Sequence, residues 1–190
     1  MFLEEYIIMN KTNNRRVQMT KRMLKKMLLE LLEKTDISRI SVRTLCEEAN
    51  VNRSTFYKHY SSQYEIYDEM QQDFLLQIEK CFQCSNGERL SYEEALIKKL
   101  TYMKENLRLS KILIGNHTAS DFQTQLLNVP YIQREMAVDF CRGNETEIKY
   151  KKEFIISGCF RIIVRWIDDN CPESPEQLSS IILGLLNNVV

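Results

Sequence analysis

Residues 41–60, SVRTLCEEANVNRSTFYKHY, constrain the fold more tightly than any other stretch of the chain. Ser41 is a good N-cap, because its hydroxyl can accept from an otherwise unpaired N–H of the first turn. Thr44 stands where a capping box would need Glu or Gln, so only half of that device is available. Val42, Leu45, Cys46 and Ala49 then recur at helical spacing and make one apolar face. Asn50 follows, and Asn is the non-glycine residue best suited to the left-handed backbone that closes a helix into a tight turn. Val51 reads as a buried turn residue, and Asn52 caps a further helix expected to run through Tyr60. Two short helices joined by a turn of about three residues form a helix-turn-helix.

The remainder reads as helix throughout. With five Gly and three Pro in 190 residues there are few breakers, which favours long helices over a many-turned β fold. A first amphipathic segment runs from about Arg15 to Lys34 and carries Leu24, Met27, Leu28 and Leu31 on one face. Ser62 is a candidate cap for a longer helix with Ile66, Met70, Phe74 and Ile78, broken at Ser85-Asn86-Gly87. A helix from Ser91 to Leu107 follows, then a short one from Leu109 to Gly115. The pattern over residues 120–141 is interrupted at Val129-Pro130, since the residue before Pro disfavours α conformation. The fold class is all-α with about nine helices. The organisation is a tail over residues 1–14, a three-helix domain over 15–61, and a C-terminal helical domain for ligand binding and dimerisation over 62–190. Met9-Asn10-Lys11 reads as a natural start, with residues 1–8 as an upstream extension or a mobile tail.

The last two helices are the most apolar. Ile155, Gly158, Cys159, Ile162 and Trp166 form one stripe, and Ile156, Phe160, Ile163 and Ile167 form a second beside it. After Pro172 and Pro175, Leu178, Ile181, Ile182, Leu185 and Val189 repeat the pattern. An apolar arc wider than half the circumference must be covered on two sides. Dimerisation through Ile155, Gly158, Cys159, Ile162, Trp166, Leu178, Ile181, Ile182 and Leu185 meets that need; the competing reading makes both helices core.

Charge and cysteine usage narrow the function. Residues 11–62 hold twelve Lys or Arg against five Asp or Glu, whereas residues 63–190 hold fourteen against nineteen. A basic first third on an acidic remainder points to a polyanionic partner for the first part; the alternative is a solvated charged face. No apolar run approaches the ~18 residues of a membrane span. Glu4 and Glu5 stand where a signal peptide would be basic, so the expected compartment is the cytoplasm. The six cysteines are scattered, and Cys81-Phe-Gln-Cys84 lacks the second ligand pair of a zinc site and the preceding strand of a redox site. No nucleophile–base arrangement, phosphate loop or metal spacing supports catalysis, and no cofactor or metal is implied.

The helix after the turn is suited to enter a DNA major groove with its first residues toward the base edges. Arg53 can make a bidentate contact to guanine. Ser54 and Thr55 are short donors that permit close approach, and Tyr57, Lys58 and His59 are placed to meet phosphates. Arg43 can reach the flanking backbone or a base, with Thr44 and Asn52 on the same candidate surface. Phe56 and Tyr60 are expected to face inward. A turn of Ala-x-Val, a cap, a Ser/Thr pair, then Phe-Tyr-x-His-Tyr before a capped fourth helix closely resembles the DNA-binding domain of the TetR family. That stretch covers about a quarter of the chain. Residues 154–175, a Gly-containing helix with Trp166 followed by a Pro-rich turn, also look like one common C-terminal subfamily that dimerises through its last two helices.

The resemblance implies a homodimeric transcriptional regulator, a repressor that binds a palindromic operator in double-stranded DNA and is released by a small-molecule inducer of unknown identity. It also implies a ligand pocket among the fourth to eighth helices, for which Phe74, Tyr102, Met103, Phe122 and Tyr131 are candidates; aromatics at helical spacing also serve as core. The alternative is a co-regulator of the same fold that acts chiefly through a protein partner. The chain departs from the family at Asn50, where Gly is usual, and at Gln63, where Lys commonly clamps a phosphate. The salt-dependent part of binding is therefore expected to rest on Arg15, Arg16, Lys21 and Lys25.

Overall fold

The computed structural model describes residues 2–80, 90–115 and 144–189. Described residues form eight α-helices and no strand: α1 (Phe2–Leu32), α2 (Val42–Glu48), α3 (Arg53–Phe56), α4 (Gln63–Lys80), α5 (Tyr92–Glu105), α6 (Leu107–Ser110), α7 (Glu145–Asp168) and α8 (Pro175–Val189). A 3-10 turn, Ile37–Arg39, joins α1 to α2, and a π-helical turn, Lys111–Gly115, follows α6. The all-α expectation is met. The chain divides into two compact units, Met1–Gln72 and Asp73–Val190.

Helix α1 departs from the expected start at Arg15. It extends back to Phe2 through the segment expected to be a tail. This segment holds Asn10, Thr12, Asn13 and Asn14, which are weak helix formers. No Gly or Pro breaks it, however, so a helix already nucleated downstream propagates through at small cost.

In the first unit, Leu24 and Leu28 of α1 are fully buried, together with Ile40, Leu45, Cys46, Ala49, Phe56, Tyr60 and Ile66. Helix α1 packs on α2, and α2 on α3. Burial of these apolar side chains, at roughly 1.5–3 kcal/mol each, holds α2 and α3, which are too short to be stable alone, against α1.

The second unit is organised by strong caps. Ser91 and Glu94 form a capping box at the start of α5, and Asn144 and Glu147 form another at α7. Ser174 and Gln177 exchange the same pair of bonds at α8, where Pro175 occupies the first helical position and has no N–H to leave unpaired. Helix α8 packs mainly on α5, and α7 on the π-helical turn. The turn between α7 and α8 is held from both sides. Lys104 donates to the carbonyls of Cys171 and Glu173 at 3.0 and 3.1 Å, and Lys111 donates to Asn170 Oδ1 at 2.8 Å. Trp166 Nε1 donates to the Glu173 carbonyl at 3.2 Å. Asn170 and Cys171 both adopt left-handed backbone, with φ of 65° and 55°, which lets the chain reverse without glycine.

Candidate nucleic-acid interface

The turn between α2 and α3 has a complete helix-closing motif. Asn50 has φ 52°, its N–H donates to the Glu47 carbonyl at 3.2 Å, and the Val51 N–H donates to the Cys46 carbonyl at 2.9 Å. These two bonds satisfy carbonyls that the end of α2 would leave unpaired. Val51 is half-buried rather than buried. At the other end of α2 the Ser41 Oγ accepts from the Thr44 N–H at 3.0 Å and shares a 2.9 Å hydrogen bond with the Thr44 hydroxyl.

Helix α3 is shorter than expected. Its regular part ends at Phe56, and residues 57–60 continue as tighter turns in which the His59 and Tyr60 N–H groups both donate to the Phe56 carbonyl. The chain needs only this much helix, because Phe56 and Tyr60 already anchor it: both are buried, and their rings lie 6.0 Å apart. The residues between the anchors face outward. Arg53, Ser54, Tyr57 and Lys58 are exposed, while Thr55 and His59 are half-exposed. The inward and outward assignments made from the sequence therefore agree with the burial of this segment.

Several candidate contacts are engaged within the protein. Asn52 Oδ1 accepts from both the N–H and the hydroxyl of Ser54 at 2.9 Å, so the carbonyl side of this exposed residue is used in capping α3. Arg43 Nε donates to Glu47 Oε1 at 2.8 Å. The hydrogen bond and the charge of Glu47 raise the guanidinium pKa. Both partners are well exposed, so a phosphate can replace Glu47 at little loss.

The basic stretch of α1 needs a correction. Arg15, Arg16, Arg22 and Lys26 are exposed, but Lys21 and Lys25 are bound to Glu69 of α4 at 2.9 and 2.7 Å. The Lys21 ammonium also lies 4.9 Å from the centre of the Tyr60 ring. Burial pushes the Glu69 carboxyl up, but the hydrogen bonds from Lys25 and Lys21 outweigh it and bring the pKa down to about 2. Both lysines thus differ from the free cations expected from the sequence, and Glu69 is the residue that the sequence pattern leaves unmarked. The one available signal is the spacing of Lys21 and Lys25, one turn apart on one face; their acid partner lies 44 residues beyond Lys25.

The other candidate residues fall into three groups. Of the dimerisation set, Ile155, Trp166, Leu178 and Ile182 are buried within the protomer, Gly158, Cys159 and Ile162 are half-exposed, and Ile181 and Leu185 are exposed at 48% and 49%. Phe154, which the sequence reading left out of that set, is 66% exposed, one turn before Gly158. Of the pocket set, Phe74 and Met103 are buried, and Phe74 packs on Tyr102 with ring centroids 5.6 Å apart. Phe122 and Tyr131 lie outside the described residues, as do Cys81, Cys84 and His117. Among the described residues no cluster of His, Cys, Asp and Glu could hold a metal ion, and no helix is long and apolar enough to cross a membrane.

Comparison with known proteins gives consistent matches at both ends of the chain. Residues 28–70 match the family described as bacterial regulatory proteins, tetR family, and residues 91–188 match the transcriptional regulator C-terminal region. A TetR transcriptional regulator from Streptococcus agalactiae superposes with a TM-score of 0.71 at 23% identity, over 93% of this chain and 98% of that one. The dihydroxyacetone kinase operon activator DhaS superposes with a TM-score of 0.56 at 20% identity, over 89% of this chain and 94% of that one. No curated protein matches the sequence.

Proposed function

Because this chain belongs to the TetR family of DNA-binding transcriptional regulators, we propose that it is a homodimeric repressor whose α3 segment reads a palindromic operator. The carrying observation is the division of residues 53–60, with Phe56 and Tyr60 buried and Arg53, Ser54, Tyr57 and Lys58 facing solvent. Arg53 stands at the first helical position of α3, where a major-groove helix brings side chains to base edges, and its fork suits guanine O6 and N7. Tyr57 and Lys58 follow at the end of the segment and take phosphates, with His59 beside them.

Dimerisation is supported by the apolar residues that α7 and α8 leave uncovered in the protomer. Phe154, Gly158 and Ile162 recur every four residues on α7, and Ile181 and Leu185 do so on α8. A two-fold dimer presents two α3 segments related by that axis, which is why the operator is palindromic. Release by a small molecule in the C-terminal unit, near Phe74, Tyr102 and Met103, completes the reading, and a regulator that acts on the operator works in the cytoplasm, where the DNA is.

The test selects bound fragments from genomic DNA and titrates the best by fluorescence anisotropy at two salt concentrations, with Arg53→Ala beside the wild type. A palindromic site with a salt-dependent affinity, and weaker discrimination in the variant, supports the reading. If no fragment binds better than bulk DNA, the repressor reading fails and a co-regulator acting through a protein partner replaces it.

A further inference from the structure

We propose that Glu69 acts as an internal substitute for phosphate, withholding Lys21 and Lys25 from DNA and so setting how many cations the first unit offers to the duplex. The inference rests on the DNA-binding reading above and concerns charge that lies outside the base-reading segment.

Both oxygens of the Glu69 carboxylate are occupied, Oε2 by Lys21 at 2.9 Å and Oε1 by Lys25 at 2.7 Å. Lys21 and Lys25 are one turn apart on α1, so their ammonium groups converge on one point. That point adjoins the phosphate-facing end of the α3 segment. Lys21 lies over the ring of Tyr60, the residue immediately after His59. The lysines are therefore near where a duplex would lie, yet a carboxylate holds them. The neighbouring Glu65 is not a substitute holder, since it accepts from the N–H and hydroxyl of Ser61 at 2.7 and 2.8 Å. The clasp is also at the solvent edge, with side-chain exposures of 27% and 20% for the lysines and 31% for Glu69. Long, flexible lysine stems at that depth can swing to an external anion once the internal one is neutralised.

A carboxylate and a phosphate oxygen compete for the same ammonium, and a contact made to DNA releases a counterion while one made to Glu69 does not. Each lysine released to phosphate steepens the dependence of log affinity on log salt by about 0.9. Between 50 and 200 mM salt that is roughly a threefold to fourfold additional loss of affinity per lysine.

The experiment measures this slope on bulk duplex DNA and on the selected operator for the full-length wild type, Glu69→Gln, Lys21→Met/Lys25→Met and the triple variant. Thermal unfolding is followed in parallel. Glutamine keeps the shape of Glu69 and removes its charge. The expected result is a steeper slope in Glu69→Gln, by about 1 to 2, tighter bulk-DNA binding at low salt, and loss of both gains in the triple variant. The lysine double variant in the presence of Glu69 is expected to retain the wild-type slope, and this arm holds even if Glu69→Gln folds poorly. A double variant with a shallower slope overturns the proposal, because the lysines then already contact phosphate. An unchanged slope in folded Glu69→Gln also overturns it. If the wild type itself shows no salt-dependent DNA binding, the DNA-binding reading falls and this one with it.

Discussion

The N–H of Val51 donates to the carbonyl of Cys46 at 2.9 Å, across an Asn50 whose φ is 52°. This one bond both ends α2 and sets the direction in which Asn52 starts α3. The placement of Arg53 at the head of the outward-facing segment depends on it. Left-handed backbone at a residue with a Cβ costs about 1–2 kcal/mol, less for Asn, whose short polar side chain can bond locally.

Replacing Asn50 therefore gives a graded result. Asn50→Ala is expected to lower unfolding free energy by about 1 kcal/mol, because Ala lacks the local hydrogen bonding that eases this conformation. Asn50→Gly is expected to stay within about 0.5 kcal/mol of the wild type or exceed it. Urea unfolding of the three proteins checks the order, and an Ala variant as stable as Gly would remove the turn argument.

Arg53→Ala is expected to weaken operator binding by about 1–3 kcal/mol and relax preference at one base pair in each half-site. Tyr57→Phe, which removes one phosphate-directed hydroxyl, should weaken all sequences about equally. Competition titrations with single-base operator variants separate the two outcomes.

The folded-state pKa of Glu69 lies at about 2, below its ordinary 4.5. A depressed carboxylate contributes stability that is fully present above the unfolded value and is lost as pH falls from about 4.5 through about 2. Wild type should therefore lose stability more steeply than Glu69→Gln across that window, and their difference should be constant from pH 6 to 8. Thermal unfolding at several pH values measures it; parallel curves below pH 4.5 would remove the charge-paired role of Glu69.

Ile181→Asp and Leu185→Asp are expected to raise the dimer dissociation constant by tenfold or more, about 1.4 kcal/mol, while leaving protomer helicity intact. Both side chains are about half exposed in the protomer, so the charge meets water until a partner covers it. Ile182→Asp, at a position 1% exposed, is expected to unfold the protein instead. Sedimentation and circular dichroism distinguish the cases.

Much of this protein was legible in the order of its residues because the physics involved is local. A Ser cap, apolar spacing of three and four, and an Asn followed by Val and a second cap suffice for residues 41–60. Their inward and outward faces follow from the helical period. The all-α class follows similarly from long periodic segments with few breakers. Less legible were the ends of elements. Helix α1 runs back through Asn13 and Asn14 to Phe2, and α3 stops at Phe56, because propagation and anchoring depend on neighbours rather than on propensity. The apolar arc of α7 announced that it must be covered twice, but only packing decided which residues meet the protomer's own core, as Trp166 and Ile155 do, and which remain outside, as Phe154 does. The charge balance was the hardest to read. Composition gives Lys21 and Lys25 the same weight as Arg15 and Arg16, and only the tertiary fold brings Glu69 within 2.9 Å of both. A helical face is decided within one turn of the chain, whereas an ion pair between helices is decided by the contacts that hold those helices together.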